Sequence, residues 1–262
     1  MCITFDLGGG GCPIIEDDVN GEMEPIPTLS RNEVLCSNAL VRALGNGAPG
    51  TPTIVRDAVS EHVVAELLSS IADDESCRGA PLLPFAKEAI VSQERNPTAT
   101  ATMSARSLVT GEVAGQLRLE APAEAVAAVT RLLAGAAQGP CLGDSLTFVN
   151  SPGIRTPMHT DARDGLLLHV SGEKRVVFAA PGGGRDEVYR SLRVTPGTQA
   201  ELFPEDGDLA ASLLAGDLFP GDLLLIPRRW WHDVESRTGT ISVSVRVDLP
   251  RGEEHEEALE GF

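Results

Sequence analysis

The sequence predicts a mainly β protein, in which a β-sandwich or barrel forms the C-terminal half and helices from the N-terminal part pack on it. Apolar residues recur at helical spacing before residue 141, whereas short apolar runs alternate with Gly, Pro and Asp turns after it. Five apolar runs are predicted as strands: Leu146–Val149, Leu166–Val170, Arg175–Ala179, Leu223–Ile226 and Ile241–Val247. The length of 262 residues, without an internal repeat, suits one domain with appended segments.

The N-terminal part is predicted to begin irregularly and then to form helices. Residues 1–30 combine a glycine run with acids and prolines, which favours a flexible segment. A short helix is predicted at residues 33–44, ahead of the breaker Asn46–Pro52. Apolar residues at every fourth position indicate an amphipathic helix over Val55–Ile71. A last helix is predicted over Pro122–Ala137, since proline suits a first turn and a Gly-Pro pair follows the end.

These patterns divide the chain into three parts. Residues 1–30 are expected to form a flexible acidic N-terminal segment, and residues 250–262 an acidic C-terminal tail. The domain between them, residues 31–249, has a helical part at 31–140 and a β core at 141–249.

Charge argues against one class of partner. The formal net charge is −17, and residues 1–25 contribute six acids without a Lys or Arg. Residues 250–262 add five Glu against one Arg. We interpret these ends as solvated tails, with docking of a basic partner as the alternative. No segment supplies the basic stripe that backbone contacts need, so no nucleic-acid partner is expected.

Cysteine usage and hydropathy bear on location. The five cysteines form no CxxC pair, and no secretory signal is recognisable at the N-terminus. An odd number of thiols then favours a reducing cytoplasm. No run of 18 apolar residues exists, so no membrane partner is expected. The sequence is compatible with a homodimer.

The first chemical feature is the stretch Thr156–Asp161, TPMHTD. His159 and Asp161 are two residues apart, so on an extended chain both side chains point to the same side. A neutral imidazole and a carboxylate there can form two corners of a metal site. The pattern alone is weak, because a surface histidine beside an acid produces it too.

The second feature is the stretch Gly221–His232, GDLLLIPRRWWH, where an apolar strand enters a proline turn and a histidine follows two tryptophans. A third ligand from a distant strand, His232, would complete a set of two histidines and one carboxylate. That set leaves coordination positions open for substrate and O₂, and it is diagnostic of non-haem Fe(II) oxygenases.

Residues 146–247 resemble the JmjC/cupin-like 2-oxoglutarate oxygenases, a family that includes protein, ribosomal and RNA hydroxylases. The matching stretches are TPMHTDARDGLLLHVSGEKRVVFAAP at 156–181 and PGDLLLIPRRWWHDVES at 220–236. The resemblance implies a double-stranded β-helix, which is a jelly-roll or cupin-like core. It also implies three Fe(II) ligands: His159, Asp161 and His232.

A cosubstrate site is predicted from the same resemblance and from charge. 2-Oxoglutarate chelates iron through its 2-oxo acid end, and its far carboxylate, once buried, needs a cation and a hydroxyl. In the family the cation is a lysine fifteen residues after the first histidine, which here is Lys174, one of only two lysines. Thr156 matches the family's hydroxyl contact. An exposed hairpin lysine is the alternative reading of Lys174.

Arg246 is the residue at which the chain departs most from the family. It shares a face of the last strand with Ser242 and Ser244, opposite the apolar face. The family often has a small polar residue there, so we expect Arg246 in the cavity, as a second anion clamp or facing an acidic substrate. The sequence leaves open whether Lys174 or Arg246 dominates 2-oxoglutarate binding. Thr160 and Gly165 also depart from the family, which favours a larger pocket.

The remaining histidines and tryptophans have structural interpretations. His169 alternates with Leu167 on a predicted strand, which favours a core position or one beside the ligands. His62 and His255 are expected to be structural or solvated. Trp230 and Trp231 are expected to pack around His232.

The function implied by the resemblance is that of an Fe(II)- and 2-oxoglutarate-dependent dioxygenase. It would use O₂ to hydroxylate a peptide or protein side chain and release succinate and CO₂, with demethylation as a variant. A small-molecule substrate stays open, since the substrate class rests on analogy. Two alternatives remain at this point: a cupin-type metalloenzyme without 2-oxoglutarate, such as an isomerase or dioxygenase, and a non-catalytic binding module.

Overall fold

The computed structural model describes residues 23–36, 50–72, 81–82, 105–112, 114–133, 141–181 and 213–248. Strands are the main element of these residues, and helices lie in their N-terminal part. In chain order the elements are β1 Glu24–Pro25, β2 Thr28–Ser30, α1 Arg31–Cys36, β3 Thr53–Arg56, α2 Glu61–Ala72, β4 Pro81–Leu82, α3 Ala105–Val109, β5 Gln116–Glu120, α4 Ala123–Leu133, β6 Cys141–Asn150, β7 Arg155–His159, β8 Asp164–Ser171, β9 Lys174–Ala179, β10 Leu213–Leu218, β11 Leu223–Ile226, β12 Trp231–Ser236 and β13 Thr240–Asp248.

The strands form two sheets that pack face to face. One sheet has the order β1-β10-β9-β12-β7, and the other has the order β2-β3-β11-β8-β13-β6-β5-β4. An apolar layer joins them, in which Val176 and Phe178 of the first sheet meet Leu167 and Leu224 of the second. This two-sheet arrangement confirms the predicted mainly β class with a jelly-roll core.

The helices cover the outer face of the eight-stranded sheet. Adjacent residues of β8 point to opposite faces, so Leu166 and Leu168 leave the inner layer and pack in a second core. There they join Leu67 of α2 and Val129 of α4. Because both faces of β8 are covered, its first seven residues are all buried.

No helix among the described residues is long and apolar enough to cross a membrane.

The helix predicted over Val55–Ile71 is partly wrong, because it begins only at Glu61. Val55 belongs to β3 and pairs with Leu223 of β11 and Leu29 of β2. Val55, Val59 and Leu67 nevertheless lie in one core. Their spacing therefore reports a shared core rather than one continuous helix.

The irregular start predicted for residues 1–30 is wrong at its end. Residues 24–30 include two short strands. Ile26 between them is buried, and its amide donates a hydrogen bond to the Ala215 carbonyl. At the following helix, the Ser30 amide donates to Glu33 Oε2 at 2.6 Å, in a capping box. Residues 1–22 lie outside the described residues, as do 250–262, so the division into segments stays a prediction.

The other predicted elements are confirmed within the described residues. All five predicted strands fall inside β6, β8, β9, β11 and β13. The predicted first and last helices correspond to α1 and α4, and their remaining residues, 37–44 and 134–137, lie outside the described residues. The predicted strands therefore supply four of the eight strands of the larger sheet but only β9 of the five-stranded one.

The turn between β12 and β13 provides a test of the packing. A Cβ on Gly239 would lie 1.9 Å from the Val109 carbonyl oxygen at the end of α3, and this contact is with backbone that cannot rotate away. We expect Gly239→Ala to lower the free energy of unfolding by roughly 3 kcal/mol or more, measured by urea denaturation. The control is Gly153→Ala, where φ is +77° but nothing lies within 4 Å, with an expected loss of about 1 kcal/mol. Equal losses in the two variants would contradict this packing.

Candidate metal centre

Two neighbouring strands bring the predicted ligands together. His159 ends β7, Asp161 follows it, and His232 is the second residue of β12. The antiparallel pairing of these strands sets His232 directly opposite His159. The loop after β7 is held by the loop before β12, since the Arg229 amide donates to the Asp161 carbonyl at 2.9 Å. Arg229 adopts φ +68°, a left-handed conformation that lets the chain turn into β12 at this point.

The three side chains converge on one point. One ligand atom from each of His159, Asp161 and His232 lies within 4.8 Å of the others. Among the described residues, these three form the group of side chains that are close enough together to hold a metal ion. The two imidazole centroids are 4.1 Å apart. His232 Nε2 lies 3.7 Å from Asp161 Oδ2. Such spacing suits atoms that share a metal ion.

Hydrogen bonding orients His232 for coordination. Its Nδ1 lies 3.0 Å from the Trp230 carbonyl oxygen. A carbonyl only accepts, so Nδ1 carries the proton and Nε2 keeps a lone pair directed at Asp161. Burial, together with the neighbouring imidazole of His159, lowers the pKa of His232 to about 3. At neutral pH the ring is therefore neutral, which is the state that binds metal.

Asp161 is ionised in the same site. Burial by itself would raise its pKa, but the hydrogen bond from Arg246 and the positive charge of that guanidinium outweigh burial and lower the pKa below its usual value. The site thus offers two imidazole nitrogens and one anionic oxygen as donors. This donor set fits a divalent first-row metal such as Fe(II), with coordination positions left for other ligands.

Arg246 reaches the candidate metal site. Its guanidinium makes a two-point ion pair with Asp161, in which Nη1 contacts Oδ2 and Nη2 lies 3.1 Å from Oδ1. The sequence did not predict that the partner would be a ligand residue of the candidate metal site.

Lys174 lies deeper between the sheets. It starts β9 and faces the interior on the same side as Val176 and Phe178, while Phe178 is paired with His232. Its side chain is 3% exposed, and burial lowers its pKa to about 7. With the Asn150 amide oxygen turned toward it, Nζ donates to that oxygen at 3.1 Å. Within the described part of the chain, no carboxylate pairs with Lys174 Nζ.

Thr156 lies between the candidate metal ligands and Lys174 along the strands. It lies on β7 three residues before His159 and is paired with Val234, whereas Lys174 is paired with Ser236 further along β12. The structure therefore orders the predicted residues along one direction, from the ligand group past Thr156 to Lys174.

The other singled-out side chains take structural positions. His169 Nδ1 lies 2.9 Å from Ser242 Oγ and Nε2 lies 2.9 Å from the Gly172 carbonyl, so both ring nitrogens are used and the core interpretation is confirmed. His62 is exposed on α2 beside Glu66. His255 lies outside the described residues.

Both tryptophans are predicted to pack around His232, and only Trp230 lies on that side of the sheet. Trp230 lies beside the site, since its ring is 6.4 Å from that of Phe178 and its Nε1 donates to the Gly50 carbonyl at 2.9 Å. Trp231 alternates to the outer face of the five-stranded sheet, where it packs with Val177 and Leu213. The prediction that Trp231 packs around His232 is therefore wrong, because neighbouring residues of a strand face opposite ways.

Phe178 is a site residue that the sequence reading missed. Its ring centroid is 5.8 Å from that of His232. Alternation from Lys174 through Val176 would have placed it on the inner face, and this signal was present in the sequence.

Comparisons with known proteins show the family to which the chain is similar. A family model described as a cupin-like domain matches residues 83–247. The chain is 34% identical over 111 residues to Jumonji C domain-containing protein 5 of Drosophila melanogaster, covering 38% of this chain and 27% of that protein. It is 36% identical over 109 residues to human tRNA wybutosine-synthesizing protein 5, covering 38% of this chain and 33% of that protein. The chain therefore spans about a third or less of each relative's length.

A solved structure of YcfD, a ribosomal oxygenase from Escherichia coli in complex with cobalt and succinic acid, is similar with a TM-score of 0.44. The identity is 15%, and the similarity covers 78% of this chain and 50% of that chain.

The buried histidines predict a specific pH dependence for the metal-free protein. Burial lowers the pKa of both His169 and His232 from 6.5 to about 3. Below pH 6.5 the unfolded chain therefore binds protons that the folded chain does not, and falling pH destabilises the fold. We expect a loss of about 1.4 kcal/mol per pH unit for each histidine between pH 6 and 5.

Urea denaturation at several pH values measures this slope. His169→Gln removes one of the two titrating groups and should reduce the slope, while His62→Gln, a substitution at an exposed histidine, should leave it unchanged. A wild-type slope no steeper than that of His169→Gln would contradict the assignment.

Proposed function

This chain belongs to the cupin-like domain family, and from that premise we propose that it is an oxygenase that uses Fe(II), O₂ and 2-oxoglutarate. The proposed reaction hydroxylates a peptide or protein side chain and releases succinate and CO₂. The observation that carries the proposal is the convergence of His159, Asp161 and His232 in a core that also buries Lys174, which has no carboxylate partner among the described residues.

His159, Asp161 and His232 would hold the iron. Their roles are to present two neutral imidazoles and one carboxylate from a single side, which leaves the opposite side for other ligands. The carbonyl of Trp230 fixes the ring of His232, so little reorganisation is needed when a metal binds. Fe(II), 2-oxoglutarate and O₂ would supply the oxidising chemistry, and the chain supplies binding and orientation.

Lys174 supports the choice of 2-oxoglutarate over a cosubstrate-free reaction. A buried ammonium without a carboxylate partner is costly, since burial disfavours the charged form, and a bound anion offsets that cost. The far carboxylate of 2-oxoglutarate is such an anion. The hydroxyl of Thr156, half-buried on β7, would donate a hydrogen bond to it. Asn150 turns its oxygen to the ammonium and keeps Nζ in place.

Apolar side chains pack between the two sheets that carry the metal ligands and Lys174. Val176 and Phe178 face Leu167 and Leu224 across the two sheets, and their role would be to exclude water from the reacting groups. No acid or base of the chain is needed for this reaction, which agrees with the neutral His232.

The metal and cosubstrate roles are tested together by anaerobic spectroscopy. We expect Fe(II) followed by 2-oxoglutarate to give a charge-transfer absorption band in the wild type. The band should be absent in His159→Ala, which loses a ligand, and retained in His62→Gln, a control at an exposed histidine. In Lys174→Met we expect Fe(II) binding to persist and the affinity for 2-oxoglutarate to fall by about 100-fold or more, since the loss of a charge-assisted bond is a few kcal/mol.

The pattern of failures separates the alternatives. A wild type that binds Fe(II) but gives no band with 2-oxoglutarate would favour a cosubstrate-free cupin enzyme. A wild type that binds no Fe(II) would favour a non-catalytic module. A Lys174→Met variant with unchanged 2-oxoglutarate affinity would contradict the role of the lysine.

The substrate class is tested by succinate formation. The proposal of a protein substrate is opposed by the name of one relative, which refers to tRNA. We expect cell extract to stimulate succinate formation by the iron-loaded protein, and this stimulation to survive RNase treatment and to disappear after protease treatment. Stimulation that RNase abolishes would contradict a protein substrate.

A further inference from the structure

Arg246 lies where β13 departs from regular pairing. It is opposite Gly165 on β8, and the register between β13 and β6 shifts between Val245 and Val247. A bulge of this kind redirects a side chain, and here the guanidinium reaches Asp161. The side chain is 30% exposed, so a ligand that enters the cavity can contact it.

Two glycines lie against the side chain of Arg246. A Cβ on Gly143 would lie 3.2 Å from Arg246 Cβ, which is closer than most such contacts, so a larger residue there would crowd the arginine. A Cβ on Gly165 would lie 3.5 Å from Arg246 Nη1, in ordinary van der Waals contact with the guanidinium.

The ion pair and a bound metal would compete for the same oxygen. Asp161 Oδ2 contacts Arg246 Nη1, and the same oxygen is the one 3.7 Å from His232 Nε2. A metal that coordinates Oδ2 would take the oxygen that Arg246 Nη1 contacts, and it would leave the guanidinium only the 3.1 Å contact from Nη2 to Oδ1. Arg246 is then a partly buried cation in need of another anion.

A count of charges indicates what that anion is. A divalent metal, ionised Asp161, neutral imidazoles and one 2-oxo acid carboxylate sum to zero. Arg246 adds one positive charge, which a single additional carboxylate neutralises. Guanidinium and carboxylate also match in geometry, since the planar fork can donate two parallel bonds. A polyanion such as RNA is disfavoured, because the chain as a whole is strongly acidic.

We propose that Arg246 is a specificity-determining residue, which leaves Asp161 when the metal binds and then binds the carboxylate of an acidic substrate side chain beside the metal. This inference rests on the proposed function, and it narrows the substrate to a peptide or protein with an aspartate or glutamate at the reacting position.

The test measures binding to protein loaded with Co(II), which replaces iron and avoids oxidation. With 2-oxoglutarate present, titration calorimetry compares a short peptide containing a central aspartate with the same peptide containing asparagine. We expect the wild type to bind the aspartate peptide about tenfold or more tightly. Arg246→Gln should lose this preference, and Arg246→Lys, which keeps the charge but not the fork, should keep part of it.

Arg229→Gln is the matched control, because it removes the same charge from an exposed side chain in the loop before β12. We expect it to keep the preference for aspartate. Arg246→Gln should also bind Co(II) alone about tenfold more tightly than wild type, since the competitor for Asp161 is gone. This second measurement needs no substrate.

Each other outcome overturns the inference. Equal affinity of the wild type for the two peptides, or a preference that survives Arg246→Gln, removes the role in substrate choice. A loss of 2-oxoglutarate affinity in Arg246→Gln, with no aspartate preference in the wild type, assigns the arginine to the cosubstrate. Binding of an RNA oligonucleotide that depends on Arg246, without the aspartate preference, contradicts an acidic side chain. Failure of the wild type to bind Co(II) defeats the proposed function itself, and this inference falls with it.

Discussion

The pairing of β7 with β12 is the interaction on which the candidate site depends. It sets His159 opposite His232, and a slip of one residue would turn one imidazole to the outer face of the sheet. A buried ion pair on that outer face also joins β7 to β12. In this pair, Arg155 Nε lies 2.8 and 2.9 Å from the two carboxylate oxygens of Asp233. β12 is in addition paired with β9 along all six of its residues.

The interior between the sheets is unusually polar for a core, and its polar groups differ in how they are satisfied. His169 is fully hydrogen-bonded by Ser242 and a backbone carbonyl, so it stabilises the fold without further ligands. Lys174 and Arg246 are cations whose present partners are a neutral amide and a candidate metal ligand. The helix-covered core on the other side of the eight-stranded sheet supplies apolar burial that offsets the cost of such groups.

The sequence predicted strands where apolar residues recur, and it missed the two strands that carry the histidine ligands. β7 contains a proline and few apolar residues, and β12 mixes Trp231 with Asp233 and Glu235. Such strands form because neighbours pair with them, and tertiary pairing of this kind leaves little trace in local pattern. The ligand residues themselves could be predicted, since their order and flanking motifs lie in the chain.

The contacts of those residues were less predictable. The two-point ion pair of Arg246 with Asp161 occurs at a bulge in β13, and Gly143 and Gly165 from separate strands lie against the Arg246 side chain. The burial of Lys174 likewise depends on Asn150, at the end of β6. Position along a strand indicates which face a side chain takes, but its partner there is fixed by the register between strands.

The most direct test of the account is a crystal structure of the protein prepared with Fe(II) under anaerobic conditions, with anomalous diffraction collected at the iron absorption edge. The account predicts one iron peak bound by His159, Asp161 and His232 Nε2, with the Arg246 guanidinium moved away from Asp161 Oδ2. An iron peak at other residues, or no peak with the Arg246–Asp161 ion pair intact, would contradict it.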